Sequence, residues 1–328
     1  MAKGNPNFGN LYATSVDNYL PGLQDNYTCS SRLLTDLKKA GNVKPEDGGV
    51  EILENIEMGE NGAYNRYEGS QVWNLESKRF ATAASYARKR IAVTMVVTGA
   101  ELDANSGKAR MIDLIASKIK NGAKTLSNGM SHDVYSDGTD PLQIGGLKYL
   151  VSDTPNAGIV GGIDASDAEN AFWRNTAVTV NLDDAESIPM EFQKVIVKTT
   201  RNNDAPKKVY VDNSTYMKYF GSLQAQQRFV DAESGEGGFK DLAISGLPVV
   251  FDQGIEAEPM EGGAVAKHAY FLNTDYLYLR PHKGKPSRKD RVNSINQDLY
   301  VEAFLWSGNM TCSGRAFQGV LIDSGAQI

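Results

Sequence analysis

The sequence predicts an α+β protein, and three observations carry that prediction. Ile91–Thr98 (IAVTMVVT) is dominated by β-branched residues, ends at Gly99, and is followed by a long helical pattern. The middle of the chain, Leu142–Gly263, alternates strand and helix signals, and the part beyond it is rich in strand signals. A chain of 328 residues is long enough to bury a substantial core in one large domain or two.

Taken in order, Met1 to about Gly49 is broken by Gly4, Pro6, Gly9, Pro21 and Gly22, so it reads as an arm. Only Ser31–Ala40 carries a helical pattern, with Leu33, Leu34 and Leu37 on one face. Such a segment cannot bury enough surface against itself. It is either disordered or laid across another surface. Val50–Met58 alternates imperfectly, with Val50, Ile52, Ile56 and Met58 apolar against Glu51, Glu54 and Glu57, which predicts a half-exposed strand. Gly59–Gly69 reads as a loop tip, and Val72, Trp73 and Leu75 as the returning strand.

After Ile91–Thr98, Asn105 or Ser106 is positioned to cap a helix. Its buried face would be Met111, Leu114, Ile115, Ile119, Ala123 and Leu126, with Gly129 as its stop. Ile144–Val151 reads as a strand interrupted by Gly145 and Gly146. Ser187 caps a helix with Pro189 in its first turn and Phe192, Val195, Ile196 and Thr199 inward. Lys208–Asp212 is a strand, Ser214 caps a helix bearing Tyr216, Tyr219, Phe220 and Leu223, Gly235–Gly238 is a loop, and Leu247–Phe251 is a strand. Strands are expected at Tyr270–Leu272, Tyr276–Arg280, Gln297–Trp306 and Asn309–Phe317, with Gly308-Asn309 as a hairpin turn.

The composition excludes more than it selects. A net charge of −6 argues against a dedicated nucleic-acid binder, though not against a locally basic face. No apolar run is long enough to cross a bilayer, and the N-terminus lacks a signal-peptide core, so no membrane partner is expected. Cys29 and Cys312 are the only cysteines; a single disulfide is conceivable, and two free thiols fit a cytosolic origin better. There is no P-loop, no G-x-G-x-x-G and no G-x-S-x-G. His132, His268 and His282 lack metal-ligand spacing and read as surface or loop residues. The acidic pairs Asp183-Asp184 and Glu256/Glu258 are of a kind that chance supplies. No catalytic, cofactor-binding or metal-binding residues are therefore assigned, and no enzyme is expected. Two basic clusters remain, Arg88-Lys89-Arg90 and the loop KGKPSRKDR over Lys283–Arg291. Each is a solvated loop, a phosphate contact or a partner for acidic surfaces.

One segment, Gly158–Asn175 (GIVGGIDASDAENAFWRN), resembles a phrase of tailed-phage major capsid proteins of the Hong Kong 97 type. The matching residues are Gly161, Gly162, Ile163 and Asp164, then Phe172, Trp173, Arg174 and Asn175, around a less familiar spacer with Asp167 and Glu169. Ile91–Leu126, Pro206–Phe220 and Phe271–Leu279 with Pro281-His282 resemble further family segments in the same order.

The resemblance implies an N-terminal arm (1–48), an extended β-hairpin loop (49–84), a peripheral domain with a long spine helix (85–141 and 267–328) and an axial α/β domain (142–266). Arm and loop would bury little within their own subunit and much between subunits. The implied function is a structural major capsid protein that assembles in the host cytoplasm into hexamers and pentamers of an icosahedral virion shell around double-stranded DNA. Its partners would be itself, a scaffolding protein, a portal protein, a decoration protein and, without sequence preference, the packaged DNA. The residues expected at inter-subunit contacts are Tyr64, Arg66 and Tyr67, then Trp173 and Arg174, and the basic positions Lys283, Lys285, Arg288, Lys289 and Arg291. Gly59–Gly69 contains no lysine for an isopeptide weld, so a non-covalent shell is expected. A start at Met1 without a helical leader implies a separate scaffold and no N-terminal maturation. The alternatives are a nanocompartment shell of the same fold and, more distantly, a β-rich carbohydrate-binding protein or hydrolase.

Overall fold

Two larger β-sheets meet across a shared apolar cluster. The computed structural model describes residues 31–59, 64–70, 72–73, 79–104, 114–183, 187–223, 242–255, 267–284, 287–293 and 298–325. Helix α1 (Arg32–Lys39) starts at Ser31, whose hydroxyl accepts the Leu34 N–H, and buries Leu33, Leu34 and Leu37. Strands β1 (Glu51–Glu57) and β2 (Ala81–Ala87) pair antiparallel, with Ile52 opposite Tyr86. The returning strand is therefore not at Val72–Leu75. Val72 and Trp73 are exposed outside any regular element, and Leu75 lies outside the described residues.

Strand β3 (Lys89–Thr98) leads into α2 (Gly99–Ala104) and α3 (Leu114–Asp133). The expected caps Asn105 and Ser106, and Met111, lie outside the described residues. Gly129 does not stop α3, which continues to Asp133, with Met130 of its last turn packed against the core and Ser131 buried. Ala123 faces solvent, and Gly122 is buried in its place, close against Met95 of β3. Ile144–Val151 is no strand. It contains the single-turn helix α4 (Leu147–Leu150), which places Leu147, Leu150 and Val151 together in the core.

Strands β4 (Ile159–Val160) and β5 (Ile163–Asp164) form a tight hairpin. Its turn residues Gly161 and Gly162 have φ of 61° and 73°, the left-handed values that a primed turn demands of both central positions. A 3₁₀ turn, Ala168–Trp173, leads to β6 (Thr176–Val180). Helix α5 (Ile188–Thr199) follows Ser187 and buries the four residues its pattern names. After β7 (Lys208–Val211), helix α6 (Asn213–Ser222) is capped by Asp212, whose carboxylate accepts the Thr215 N–H; Ser214 sits inside the first turn instead. Strands β8 (Leu242–Ile244) and β9 (Leu247–Phe251) form a hairpin, and Gly235–Gly238 lies outside the described residues.

The remaining strands are β10 (Lys267–Leu272), β11 (Leu277–Pro281), β12 (Ser287–Asn293), β13 (Leu299–Cys312) and β14 (Gly319–Asp323). Two expectations fail here. Gly308-Asn309 is not a turn: β13 runs straight through it as one 14-residue strand between β11 and β3. Glycine is needed at 308 for close approach, since a Cβ there would fall 2.5 Å from the Arg280 carbonyl oxygen. The basic loop is also partly strand, because residues 287–293 pair with β13 across a bulge between Lys289 and Val292.

One sheet has the order β6-β14-β10-β7-β9-β8, and the other is built on β11-β13-β12 with β3 also paired to β13. Within residues 267–323, β10 and β14 belong to the six-stranded sheet and β11, β12 and β13 to the other. Period-two alternation gives that sheet two apolar faces. Val209, Val211, Ala269, Phe271 and Leu321 meet α5 and α6, where Phe192 stacks on Tyr219 at 5.1 Å. Tyr210, Tyr270, Leu272 and Val320 face the larger cluster, shared with α1, α4 and the second sheet through Leu277, Leu279, Trp306 and Met310.

Candidate interaction surfaces

The connection between β1 and β2 spends apolar side chains on solvent. Tyr64 is 82% exposed and Val72 96%, with Tyr67, Trp73 and Phe80 also exposed and Arg66 beside them. Tyr67 and Trp73 meet edge to face at 5.6 Å, the geometry their quadrupoles favour, so this surface holds a local aromatic pair. A run of exposed aromatic and branched residues in one segment is the composition of a contact surface rather than of scattered apolar exposure.

The foot of that hairpin is fixed. Ile52, Glu54 and Ile56 form the inward face of β1, so Glu54 occupies an apolar-side position. Its carboxylate accepts two hydrogen bonds from Arg280, Nε at 2.8 Å and Nη2 at 2.9 Å, and a third from the Thr311 hydroxyl at 2.7 Å. A fork-to-carboxylate pair is both strong and directional, which sets the angle at which β1 leaves β11 and β13. Arg280 also lies 4.9 Å above the Tyr278 ring and 3.4 Å from Glu46. On β2, Tyr86 donates its hydroxyl proton to the Cys312 carbonyl at 2.9 Å. Burial, with the Cys312 thiol alongside, pushes that phenol well above its ordinary range.

Residues 31–46 do not behave as an arm with little attachment to their own subunit. Asp252, itself buried, accepts from Ser31 Oγ at 3.0 Å, Leu33 N at 3.1 Å and Tyr135 Oη at 2.6 Å, and so holds the N-terminus of α1. Asp36 accepts from Tyr210 Oη at 2.8 Å and pairs with Lys208 at 3.0 Å. Beyond the helix, Lys44 and Glu46 donate their N–H groups to carbonyls of β11. The segment is laid across a surface of its own chain.

Gly158–Asn175 is mostly interior scaffolding. Trp173 is 1% exposed and donates Nε1–H to the Val160 carbonyl at 2.9 Å, which leaves the ring no surface to offer a neighbour. Arg174 caps its own segment, donating to the carbonyls of Ala165 at 2.8 Å and Asp167 at 3.0 Å. Asn175 accepts from Arg315, a fully buried guanidinium that also donates to the Leu150 and Trp173 carbonyls. Burial in that carbonyl-lined site lowers the Arg315 pKa. Asp164, Asp167 and Glu169 remain exposed.

Of the basic positions, Lys283 is exposed and pairs with Asp47 at 3.1 Å. Lys285 lies outside the described residues, and Arg288, Lys289 and Arg291 are strand residues of β12. His132 is exposed and His282 half-buried, but His268 is buried in β10, stacked on Tyr270 and 2.9 Å from Asp153, contrary to its reading as a surface residue. Cys312 is a buried free thiol, pushed up to about 12 by burial. No group of three or more His, Cys, Asp or Glu among the described residues is placed to hold a metal ion. Among them, no helix is long and apolar enough to cross a membrane.

Sequence reasoning missed the Glu54–Arg280 and Asp252 pins. The signal for the first was present as a charged residue breaking an apolar alternation in β1.

Neither a family model nor a curated protein matches this sequence. Solved structures do match, over nearly the whole of both chains. The cyanophage A-1(L) capsid asymmetric unit superposes with a TM-score of 0.64 at 14% identity, covering 92% of this chain and 95% of that one. The capsid of Myoviridae phage XM1 gives 0.55 at 9% identity, covering 92% and 95%. The holo-SrpI encapsulin complex from Synechococcus elongatus PCC 7942 gives 0.54 at 8% identity, covering 94% of each chain. The chain has the fold of tailed-phage major capsid proteins, a fold that the encapsulin shares.

Proposed function

We propose that this chain is the major capsid protein of a tailed double-stranded DNA phage, self-assembling into the hexamers and pentamers of an icosahedral virion shell in the host cytoplasm. The observation that carries the reading is fold likeness to capsid chains along nearly the full length of both partners. The exposed aromatic connection between β1 and β2 supports it. A hairpin pinned at its foot and apolar along its reach is built to lie on a neighbouring subunit. In this reading Tyr64, Arg66 and Tyr67 are subunit contacts, and repeated contacts bury about 2,000 Å² or more per interface, as obligate assemblies do. Head-to-tail contacts close into rings when the rotation per subunit divides the circle. Arg174, Lys283 and the β12 positions Arg288, Lys289 and Arg291, with Lys285, remain candidates for acidic neighbours or for sequence-blind DNA contact. Portal, scaffolding and decoration proteins complete the expected partners.

The encapsulin match favours one second reading, a nanocompartment shell that encloses protein cargo. The test is a concentration series of the purified chain in sedimentation velocity, with electron microscopy of the fastest species. Rings or closed particles support a shell subunit. A monomer at every concentration rejects it. Nuclease-protected double-stranded DNA in particles from the native source separates the virion from the nanocompartment.

A further inference from the structure

The six-stranded sheet ends at β6, which pairs in parallel with β14 on one side and, among the described residues, with no strand on the other. The register decides which backbone groups are used. Thr176 donates its N–H to the Gln318 carbonyl, and the Val180 carbonyl accepts from the Ser324 N–H, so Thr176, Val178 and Val180 turn their peptide groups toward β14. Ala177 and Thr179 turn theirs the other way, presenting two N–H donors and two carbonyl acceptors that find no partner among the described residues. Native sheets blunt such an edge with charge, proline, a bulge or a covering segment. β6 reads TAVTV, with no charged residue and no proline, and its register against β14 is unbroken. Its faces are supported all the same. Val178 and Val180 pack on the α5 side and Ala177 on the other, while Thr179 stands exposed.

We propose that β6 is a site of strand addition by a second copy of this chain, whose own β6 lies antiparallel to it across a two-fold axis at Val178. The occupant follows from a pattern that is its own complement. With Val178 opposite Val178 of the partner subunit, Ala177 falls opposite Thr179 of the partner subunit, and Thr179 opposite the partner's Ala177. These are the residues whose groups point outward, so each pair exchanges two hydrogen bonds and every open group of the edge is used. A register centred on Ala177 or Thr179 leaves half of those groups facing residues beyond the strand. A shift by a single residue sets outward groups against inward ones. No like charges meet in the seam, because the strand has none. A two-fold contact joins copies in pairs and closes no ring, so this inference does not rest on the shell reading.

The experiment measures the dimer dissociation constant by sedimentation equilibrium for the unaltered chain and for Thr179→Lys, with the Tm of the dilute, dissociated subunit as control. Lysine at this exposed edge position brings two like charges into the seam, and should raise the dissociation constant about tenfold or more while the Tm stays unchanged. Disulfide capture on a Cys29→Ser background reads the register. Ala177→Cys chains mixed with Thr179→Cys chains should cross-link to each other, because the Cα atoms of a hydrogen-bonded antiparallel pair lie about 5.5 Å apart. Neither variant alone should cross-link, since its two cysteines sit diagonally across the seam and beyond disulfide reach. A dissociation constant indifferent to Thr179→Lys overturns the proposal, as does cross-linking of either variant with itself. Rings or closed particles without this dimer contact overturn it and leave the shell reading standing. A monomer at every concentration rejects both.

Discussion

The two ends of the β1–β2 hairpin are made of similar residues placed under opposite conditions. At the foot, Ile52, Ile56 and Tyr86 are buried and a carboxylate is sealed among them by Arg280 and Thr311. Along the reach, Tyr64, Tyr67, Val72, Trp73 and Phe80 face water. The difference separates two free energies in space. Burial at the foot belongs to folding, whereas the apolar surface along the reach is left unburied by folding and would contribute only on association.

Glu54→Ala strikes the folding end hardest. It leaves Arg280 and Thr311 without their acceptor in a largely closed site, and chemical denaturation should register a loss of about 3 kcal/mol with unchanged m-value. A loss below about 1 kcal/mol would mean that Glu46 and the Tyr278 ring suffice for Arg280, and that the foot is less closed than it looks.

Asp323 provides a pin outside the hairpin against which the foot can be compared. Burial raises its pKa, but Lys218 at 2.8 Å and the Leu182 and Gly325 N–H groups more than offset this, and the net shift is downward from 3.8. A depressed folded pKa contributes stability that is present above 3.8 and lost as pH falls through the lower folded value. Asp323→Asn should therefore cost about 2 kcal/mol at neutral pH and flatten the acid limb of the stability profile. An unchanged acid limb in the variant would rule out this linkage.

Cys312→Ala, at the seam beneath Tyr86, removes only a small buried group and should cost about 1 kcal/mol. With the thiol pushed up to about 12, the unaltered residue should resist alkylation at neutral pH until the seam opens. Rapid labelling of the native protein would show the foot opening locally.

Trp73→Ala completes the contrast. The subunit should keep its stability within about 0.5 kcal/mol, as exposed positions do, while the assembly threshold rises. A folding loss equal to that of Glu54→Ala would erase the distinction between the two ends.

The sequence discloses what is local. Helix α5 follows from Pro189 in its first turn and the spacing of Phe192, Val195, Ile196 and Thr199, because one amphipathic face is enough to define it; Ser187 stands at its N-cap but makes no side-chain capping hydrogen bond. It hides what depends on distant partners. Glu54 looks solvent-facing until Arg280, 226 residues away, is placed beside it. Gly308-Asn309 has turn chemistry, yet Asn309 accepts from the Gly145 N–H at 2.9 Å and donates to the Ala87 carbonyl at 2.7 Å, so it spans elements within a continuous strand. The β12 segment was obscured by its own charges, which make a strand resemble a loop. Trp173 and Arg174 were legible as a motif, but its order says nothing about whether a side chain faces inward or outward.

The pairing of β3 with β13 sets a schedule for synthesis. Residues 89–98 wait for residues 299–308 before their sheet can close, and the six-stranded sheet waits in turn for β14 at 319–323. Contacts this distant in sequence form late and slowly. A polypeptide interrupted before these strands leave the ribosome has neither sheet complete. Strand order thereby makes both sheets depend on the last residues to be synthesised.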